Sequence, residues 1–185
     1  MTIECECKIP VPSREAVSER LRALGAVFRG GGREDNRVFD TPSDDLLARG
    51  VLLRVRVVEG APGGLLTVKA AVRAGAFKTR EEYETRVDDP GALAVAFAAL
   101  GYVQKRRYQK HRDEWDWRGT HIAVDTLPEM GDFVEVEGSE DAIHGVLAEL
   151  GFDPAAHRQE NYLALWDAYR ATRGEPPCDM LFDGG

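Results

Sequence analysis

Apolar and polar positions alternate from the start of the chain. In IECECKIPV, Ile3, Cys5, Cys7 and Ile9 take every second place, with Glu4, Glu6 and Lys8 between them. A period of two predicts a strand with unlike faces. The same beat returns in VLLRVRVV, GLLTVKAAV, FKTREEYETRV, VQKRRYQKHRDEWDW, THIAVDTLP and DFVEVEG. AVFRGGGREDNRVFD reads as extended chain interrupted by its glycine run, which makes about eight strands. Gly/Pro-rich residues join VLLRVRVV to GLLTVKAAV as a hairpin.

Four longer segments carry the helical period instead. Pro12-Ser13 opens one with Val17, Leu21 and Leu24 on a stripe, closed by Gly25. Asp89-Pro90 opens a second, with Leu93, Phe97 and Leu100 as its apolar stripe. Ser139 caps a third with Ile143, Val146, Leu147 and Leu150. A last helical region follows Asp153-Pro154 and aligns Tyr162, Leu165, Trp166 and Tyr169. TPSDDLLARG reads as a short helical turn. The pattern predicts one domain over residues 1–172 and a flexible tail over 173–185.

Each helix needs an apolar partner, and the apolar strand faces supply it. Helices then sit outside the sheet, and the charged strand faces turn toward one another. Those charges come as like pairs two residues apart: Glu4/Glu6, Arg54/Arg56, Glu82/Glu84, Lys110/Arg112 and Glu135/Glu137. Like neighbours repel, so a solvated face gains nothing from such pairs, whereas a site for a charged ligand and its counter-ion does. The expected fold is α+β: an eight-stranded antiparallel barrel with a polar, charged lumen and helices packed outside.

Composition adjusts this picture little. Of 185 residues, 43% are hydrophobic and 30% charged, enough for a real core. A formal charge of −8 argues against a surface built to hold nucleic acid. The basic run KRRYQKHR could form an RNA patch, but Asp113, Glu114 and Asp116 follow at once. No segment approaches a membrane span, and the N-terminus shows no signal-peptide core. Three cysteines predict no disulfide framework and fit a reducing cytoplasm. Cys5 and Cys7 have CxC spacing, but their place on the apolar face favours inert buried thiols.

The lumen's basic members would be Lys8, Arg54, Arg56, Lys69, Arg80, Lys110 and Arg112, a set suited to a phosphate chain. Its acidic members would be Glu4, Glu6, Glu82, Glu84, Asp125, Glu135 and Glu137. Carboxylates without His or Cys beside them suit a hard cation, Mg²⁺ or Mn²⁺. Together they point to a metal-bound polyphosphate.

These blocks resemble the CYTH superfamily, the triphosphate tunnel metalloenzymes. Glu4-Cys5-Glu6-Cys7-Lys8 resembles its ExExK signature, and NRVFDTPSDDLLARGVLLRVR its FDTP…LRxR segment. LTVK, KTREEYE, QKHR and VDTLPEMGDFVEVEG follow in the family's order, and ENYLALW resembles its C-terminal helix, with Asn161 where serine is common. KRRYQKHR offers a second basic spacing, Lys105/Arg107. Lys110/Arg112 is preferred for its distance before Asp125 and its shared face with Tyr108.

The resemblance implies a tunnel barrel, metal held by Glu4, Glu6, Glu135 and Glu137, and catalytic assistance from Glu82, Glu84 and Asp125. It implies substrate binding by the seven basic residues. Its members include class IV adenylyl cyclases, thiamine triphosphatases and tripolyphosphatases, and often form dimers. The expected function is divalent-metal-dependent hydrolysis of inorganic tripolyphosphate, a nucleoside triphosphate or thiamine triphosphate. The alternatives are an adenylyl cyclase producing cyclic AMP and pyrophosphate, and a non-catalytic polyphosphate-binding module.

Overall fold

The computed structural model describes residues 2–72 and 77–184, so the last residue of the expected tail lies outside it. Eight antiparallel strands close into a barrel: β1 (Thr2–Val11), β2 (Val27–Asp40), β3 (Leu52–Val58), β4 (Gly64–Lys69), β5 (Lys78–Val87), β6 (Val103–Trp117), β7 (Thr120–Leu127) and β8 (Gly131–Glu137). Their order around the barrel is β1-β5-β4-β3-β2-β6-β7-β8. The helices are α1 (Arg14–Ala23), α2 (Asp45–Ala48), α3 (Pro90–Ala99), α4 (Glu140–Leu150) and α5 (Tyr162–Thr172). A 3-10 turn, Pro154–Ala156, precedes α5. No helix among the described residues is long and apolar enough to cross a membrane.

Alternation sends the apolar faces outward. Cys7, Ile9, Ile122, Val124, Val134 and Val136 meet Val17 and Leu21 of α1 and Ile143, Val146 and Leu147 of α4 in one cluster. Phe39, Leu53 and Val55 meet Phe97 of α3 in a second. Cys7 packs in the first cluster, where burial pushes its thiol up to about 12. That inert environment agrees with the reading of Cys7 as a buried structural thiol, while Cys5 is only partly buried at the edge of the same cluster. Ser13, Asp89 and Ser139 cap α1, α3 and α4 as their positions predict, and Asn161 caps α5, each accepting from a backbone N–H.

Three expectations need correction. The glycine run does not break the second strand. β2 continues through it, with one extra residue absorbed at the register shift between Phe28 and Gly30. Glycine is required at position 31, where a Cβ would stand 2.2 Å from the Asp113 carboxylate and 2.9 Å from the Arg112 carbonyl oxygen. Leu100, placed on the buried stripe of its helix, is 73% exposed, because Phe97 alone is fully buried along α3.

The third correction concerns the stretch after Gly174, expected to hang free. β7 pairs with β6 only from His111 to Trp117, so β6 has an open edge below that point. The C-terminal segment fills it. Met180 donates its N–H to the Arg107 carbonyl at 3.1 Å and accepts from the Gln109 N–H at 2.8 Å. The Cys178 carbonyl accepts from Trp166 Nε1 of α5 at 3.0 Å. Met180 itself is completely buried with Tyr108, Tyr162 and Trp166. Composition reads this stretch as coil, and one apolar anchor is enough to dock it. Met180→Ala is expected to cost about 2 kcal/mol through the cavity it leaves. Urea unfolding measures this, and an unchanged midpoint would mean the segment contributes no packing.

Candidate functional site

Inside the barrel, cross-strand neighbours pair opposite charges almost throughout. Glu4 lies opposite Arg80, Lys8 opposite Glu135, Lys69 opposite Glu82, Glu34 opposite Lys110 and Arg112 opposite Asp125. Side-chain contacts follow this register. Glu4 accepts from Lys69 Nζ at 2.6 Å and Arg80 Nε at 3.1 Å. Lys78 lies 2.8 Å from Glu6, and Lys8 3.2 Å from Glu135. Glu34 faces Arg56 at 3.0 Å and Lys110 at 3.5 Å. Arg54 donates to Tyr108 Oη at 3.1 Å and Thr67 Oγ1 at 3.2 Å. Lys69 also reaches Glu82 at 3.2 Å, while Glu84 accepts from the Thr67 hydroxyl at 2.8 Å.

One cross-strand pair breaks the rule. Glu6 of β1 lies directly opposite Glu137 of β8. With Glu4 they offer carboxylate oxygens that all lie within 4.8 Å of one another. Their environments differ. Against burial and the charge of Glu135, Lys8, Lys78 and Lys69 hold Glu6 at about 2. Burial, then Glu4 and Glu135, push Glu137 up to about 7 despite Arg112 and Lys69. Of the three, Glu4 is bridged by Lys69 and Arg80 and Glu6 by Lys78, while Glu137 has no ion pair among the described residues. An oxygen-only trio of this kind suits a hard divalent cation. Glu135 stands apart from the trio: Lys8, Arg112 and Lys110 hold its carboxyl well below the usual range against the cost of burial.

All the lumen residues named from sequence, except Asp125, line one cavity of about 250 Å³. Asp125 is completely buried and stands behind that wall. It accepts two bonds from Arg112, at 2.7 and 2.6 Å, one from Lys110 at 3.2 Å and one from the Tyr162 hydroxyl at 2.7 Å. Its geometry is that of an anchor setting the direction of three lumen groups. Arg112 also donates to Glu135.

At one end of the lumen the inner faces change from charge to Tyr108, Leu127 and Phe133, and α5 lays Tyr162 and Trp166 against them. Lys8 Nζ sits 4.4 Å from the Tyr162 ring centre, a cation–π contact. Toward the glycine run, an adjoining cavity of about 280 Å³ shares Arg56, Arg112 and Glu114 with the first.

Lys105 and Arg107, the competing basic spacing, lie elsewhere. Lys105 pairs with Asp44 and Arg107 with Asp35. Arg106 pairs with Asp167. Aspartates thus answer each residue of the run KRR.

The lumen set named from the sequence omits Glu34, Asn36, Lys78, Glu114, His121 and Tyr162, although the alternation puts Lys78 and Glu114 on the charged faces of their strands. Lys78 was legible, since it shares its strand face with Arg80. Glu34 and Asn36 were not, because Arg33, Asp35 and Arg37 place charge on the opposite face of the same strand. Asn36 is fully buried, and neither amide atom has a partner among the described residues.

A closed antiparallel tunnel lined by paired cations and carboxylates defines a class of charge-lumen barrel. The CYTH domain model matches residues 2–151, and this chain belongs to that family, the triphosphate-tunnel proteins. A Methanocaldococcus jannaschii protein bearing the name "Putative adenylate cyclase" is 26% identical over 137 residues, covering 74% of this chain and 77% of that protein. The structure of a Pyrococcus horikoshii protein, PH1012, superposes with a TM-score of 0.76 at 24% identity, over 88% of this chain and 98% of that one. A Hippeastrum protein, described as a "Putative adenylyl cyclase" with a dominant triphosphatase activity, superposes with a TM-score of 0.66 at 18% identity, over 95% and 97%. These two structural similarities concern the fold.

Proposed function

We propose that the chain is a divalent-metal-dependent phosphohydrolase acting on a triphosphate. The observation carrying this reading is a single lumen that combines a cation-rich wall with three converging carboxylates, Glu4, Glu6 and Glu137. Family membership supports action on triphosphates, and the activity described for the Hippeastrum relative favours hydrolysis.

Glu4, Glu6 and Glu137 would hold Mg²⁺ or Mn²⁺, with Glu135 adjacent. The ion would supply charge neutralisation at phosphate oxygens and lower the pKa of water. Arg54, Arg56, Lys69 and Arg80 bind phosphate oxygens on one side of the lumen, and Lys8, Lys110 and Arg112 on the other. Arg56 and Arg80 give bidentate contacts that fix register along the phosphate chain. The same groups oppose the charge that grows on the phosphoryl oxygens as the bond breaks. Glu82 and Glu84 are the carboxylates left to accept a proton from the attacking group. Burial, with Glu4 and Glu84 nearby, raises the Glu82 carboxyl against the pull of Lys69, which suits that task. Asp125 holds Lys110, Arg112 and Tyr162 in place. Residues 1–172 form the working unit in this reading.

The name of the Methanocaldococcus relative favours a second reading, an adenylyl cyclase, in which the ribose 3′-hydroxyl attacks the α-phosphorus. Tripolyphosphate, ATP and thiamine triphosphate are to be incubated separately with the protein and Mg²⁺ or Mn²⁺. Release of orthophosphate is the expected result. Cyclic AMP with pyrophosphate would replace hydrolysis by cyclisation, and binding without product would leave a polyphosphate-binding module. Arg56→Ala is expected to raise KM by about tenfold or more through loss of a charge-assisted contact. Steady-state kinetics check this, and an unchanged KM would remove Arg56 from the binding set.

A further inference from the structure

The charged lining of the tunnel stops short of one mouth. On β2 the inward positions beyond Glu34 are Gly32 and then Gly30. On β3 Val58 follows Arg56, and on β4 Leu65 stands directly opposite Arg56. These four uncharged residues border the cavity of about 280 Å³ that adjoins the lumen. Gly30 and Gly32 put no side chain into it. Arg56 and Arg112 stand at the throat shared with the lumen. Arg86 of β5 stands at the rim, opposite Leu65. It is exposed and makes no hydrogen bond or ion pair among the described residues. A space of this size is close to the roughly 300 Å³ at which small-molecule sites begin. An apolar floor beside a polyphosphate tunnel does nothing for the phosphates themselves.

Given a lumen that holds a triphosphate, as proposed above, we infer that this cavity is a nucleoside subsite: it takes the base of a nucleoside triphosphate whose phosphates lie in the lumen. The two ends of the tunnel set the direction. At the far end α5 lays Tyr162 and Trp166 against the inner faces, so an organic group attached to the phosphate chain lies toward the glycine mouth. Arg56 and Arg112 then meet the phosphate nearest the sugar. The base rests on Val58 and Leu65, and the glycines let it approach the backbone closely. Arg86, free of other partners, lays its planar guanidinium over the ring. Charge selects the class of organic group. Three arginines outnumber Glu34 and Glu114 around the cavity, which disfavours the cationic thiazolium ring of thiamine triphosphate but not a neutral base. Inorganic tripolyphosphate would leave the cavity to water.

Isothermal titration calorimetry of the full chain in EDTA, where metal-dependent turnover is suppressed, compares ATP, tripolyphosphate and thiamine triphosphate. The wild type is expected to bind ATP about tenfold or more tightly than either of the others. Arg86→Ala should lower the ratio of ATP affinity to tripolyphosphate affinity by about fivefold or more, because it removes a contact to the base. Leu65→Gln should lower the same ratio by making the floor polar. Far-UV circular dichroism checks the fold of each variant, and Arg86→Ala, at an exposed position, carries the test if Leu65→Gln does not fold. Equal wild-type affinity for ATP and tripolyphosphate would overturn the subsite and leave the triphosphate lumen standing. So would an unchanged ratio in either folded variant, or a preference for thiamine triphosphate. A wild type that binds none of the three would overturn the triphosphate reading itself and the subsite with it.

Discussion

Glu137→Gln is expected to lower metal-dependent triphosphate hydrolysis by roughly two to three orders of magnitude, yet to stabilise the protein in the absence of metal. The two effects have one cause. Glu137 lies opposite Glu6 on one side and His121 on the other, with no ion pair to it among the described residues, and burial with Glu4 and Glu135 nearby moves its carboxyl from 4.5 to about 7. A carboxyl raised on folding binds its proton more tightly in the folded state. Between pH 4.5 and 7 the unfolded chain has released that proton and the folded chain still holds it. Stability from this site therefore falls as pH rises through that window, and the cost is complete above it. At pH 8 without metal, glutamine removes a cost of about 2 kcal/mol. The difference between variant and wild type should vanish below pH 4.5. Adding Mg²⁺ should raise the melting temperature of the wild type more than that of the variant. Melting curves at pH 4 and pH 8, with and without Mg²⁺, decide the matter. Equal wild-type and variant melting at pH 8, or full hydrolysis by the variant, would sink the assignment of this corner as a cation site.

Arg112→Met should act in the opposite sense on stability, with an expected loss of about 3–5 kcal/mol. The Arg112 guanidinium is 7% exposed and serves two carboxylates, Asp125 and Glu135, at once. Methionine fills much of the volume but leaves Glu135 with Lys8 and Asp125 with Lys110 and Tyr162. The penalty comes from charges left buried with too few partners. Arg112→Met combined with Asp125→Leu should recover a large part of it, since a packed apolar pair of similar size tolerates burial better than one orphaned charge. A double-mutant cycle in urea measures the coupling. A single variant within about 1 kcal/mol of wild type would show that Arg112 is not the keystone of this ion-pair network. Loss of activity at Arg112, Asp125 or Arg56 must accordingly be read beside stability, since Arg56 too pairs with buried Glu34 and with Glu84.

Much of this tunnel is written in a period of two. Where one face is cleanly apolar, as in VLLRVRVV or FVEVE, the inward residues can be named before any coordinates. Alternation assigns a face, however, and not a depth. It places Asp125 inside with Glu135 but cannot tell that one stands behind the cavity wall and the other on it. It is also silent where both faces carry charge, so Glu34 and Asn36 stay hidden among Arg33, Asp35 and Arg37. In α3 the opposite ambiguity holds: both faces are apolar, and the stripe ending in Leu100 cannot be told from the one holding Phe97. The docking of Met180 depends on an open edge of β6, a property of the assembled barrel that no local pattern contains.

Placing β1 between β5 and β8 has a consequence for how the molecule is made. β1 must wait for residue 137 before the barrel can shut, and contacts so distant along the chain slow folding, toward the millisecond-to-second range. A nascent chain shorter than that exposes two unpaired strand edges. Its Glu6 has no Glu137 opposite it, so the acidic corner does not yet exist. Assembly of the site and completion of the barrel are thus the same event.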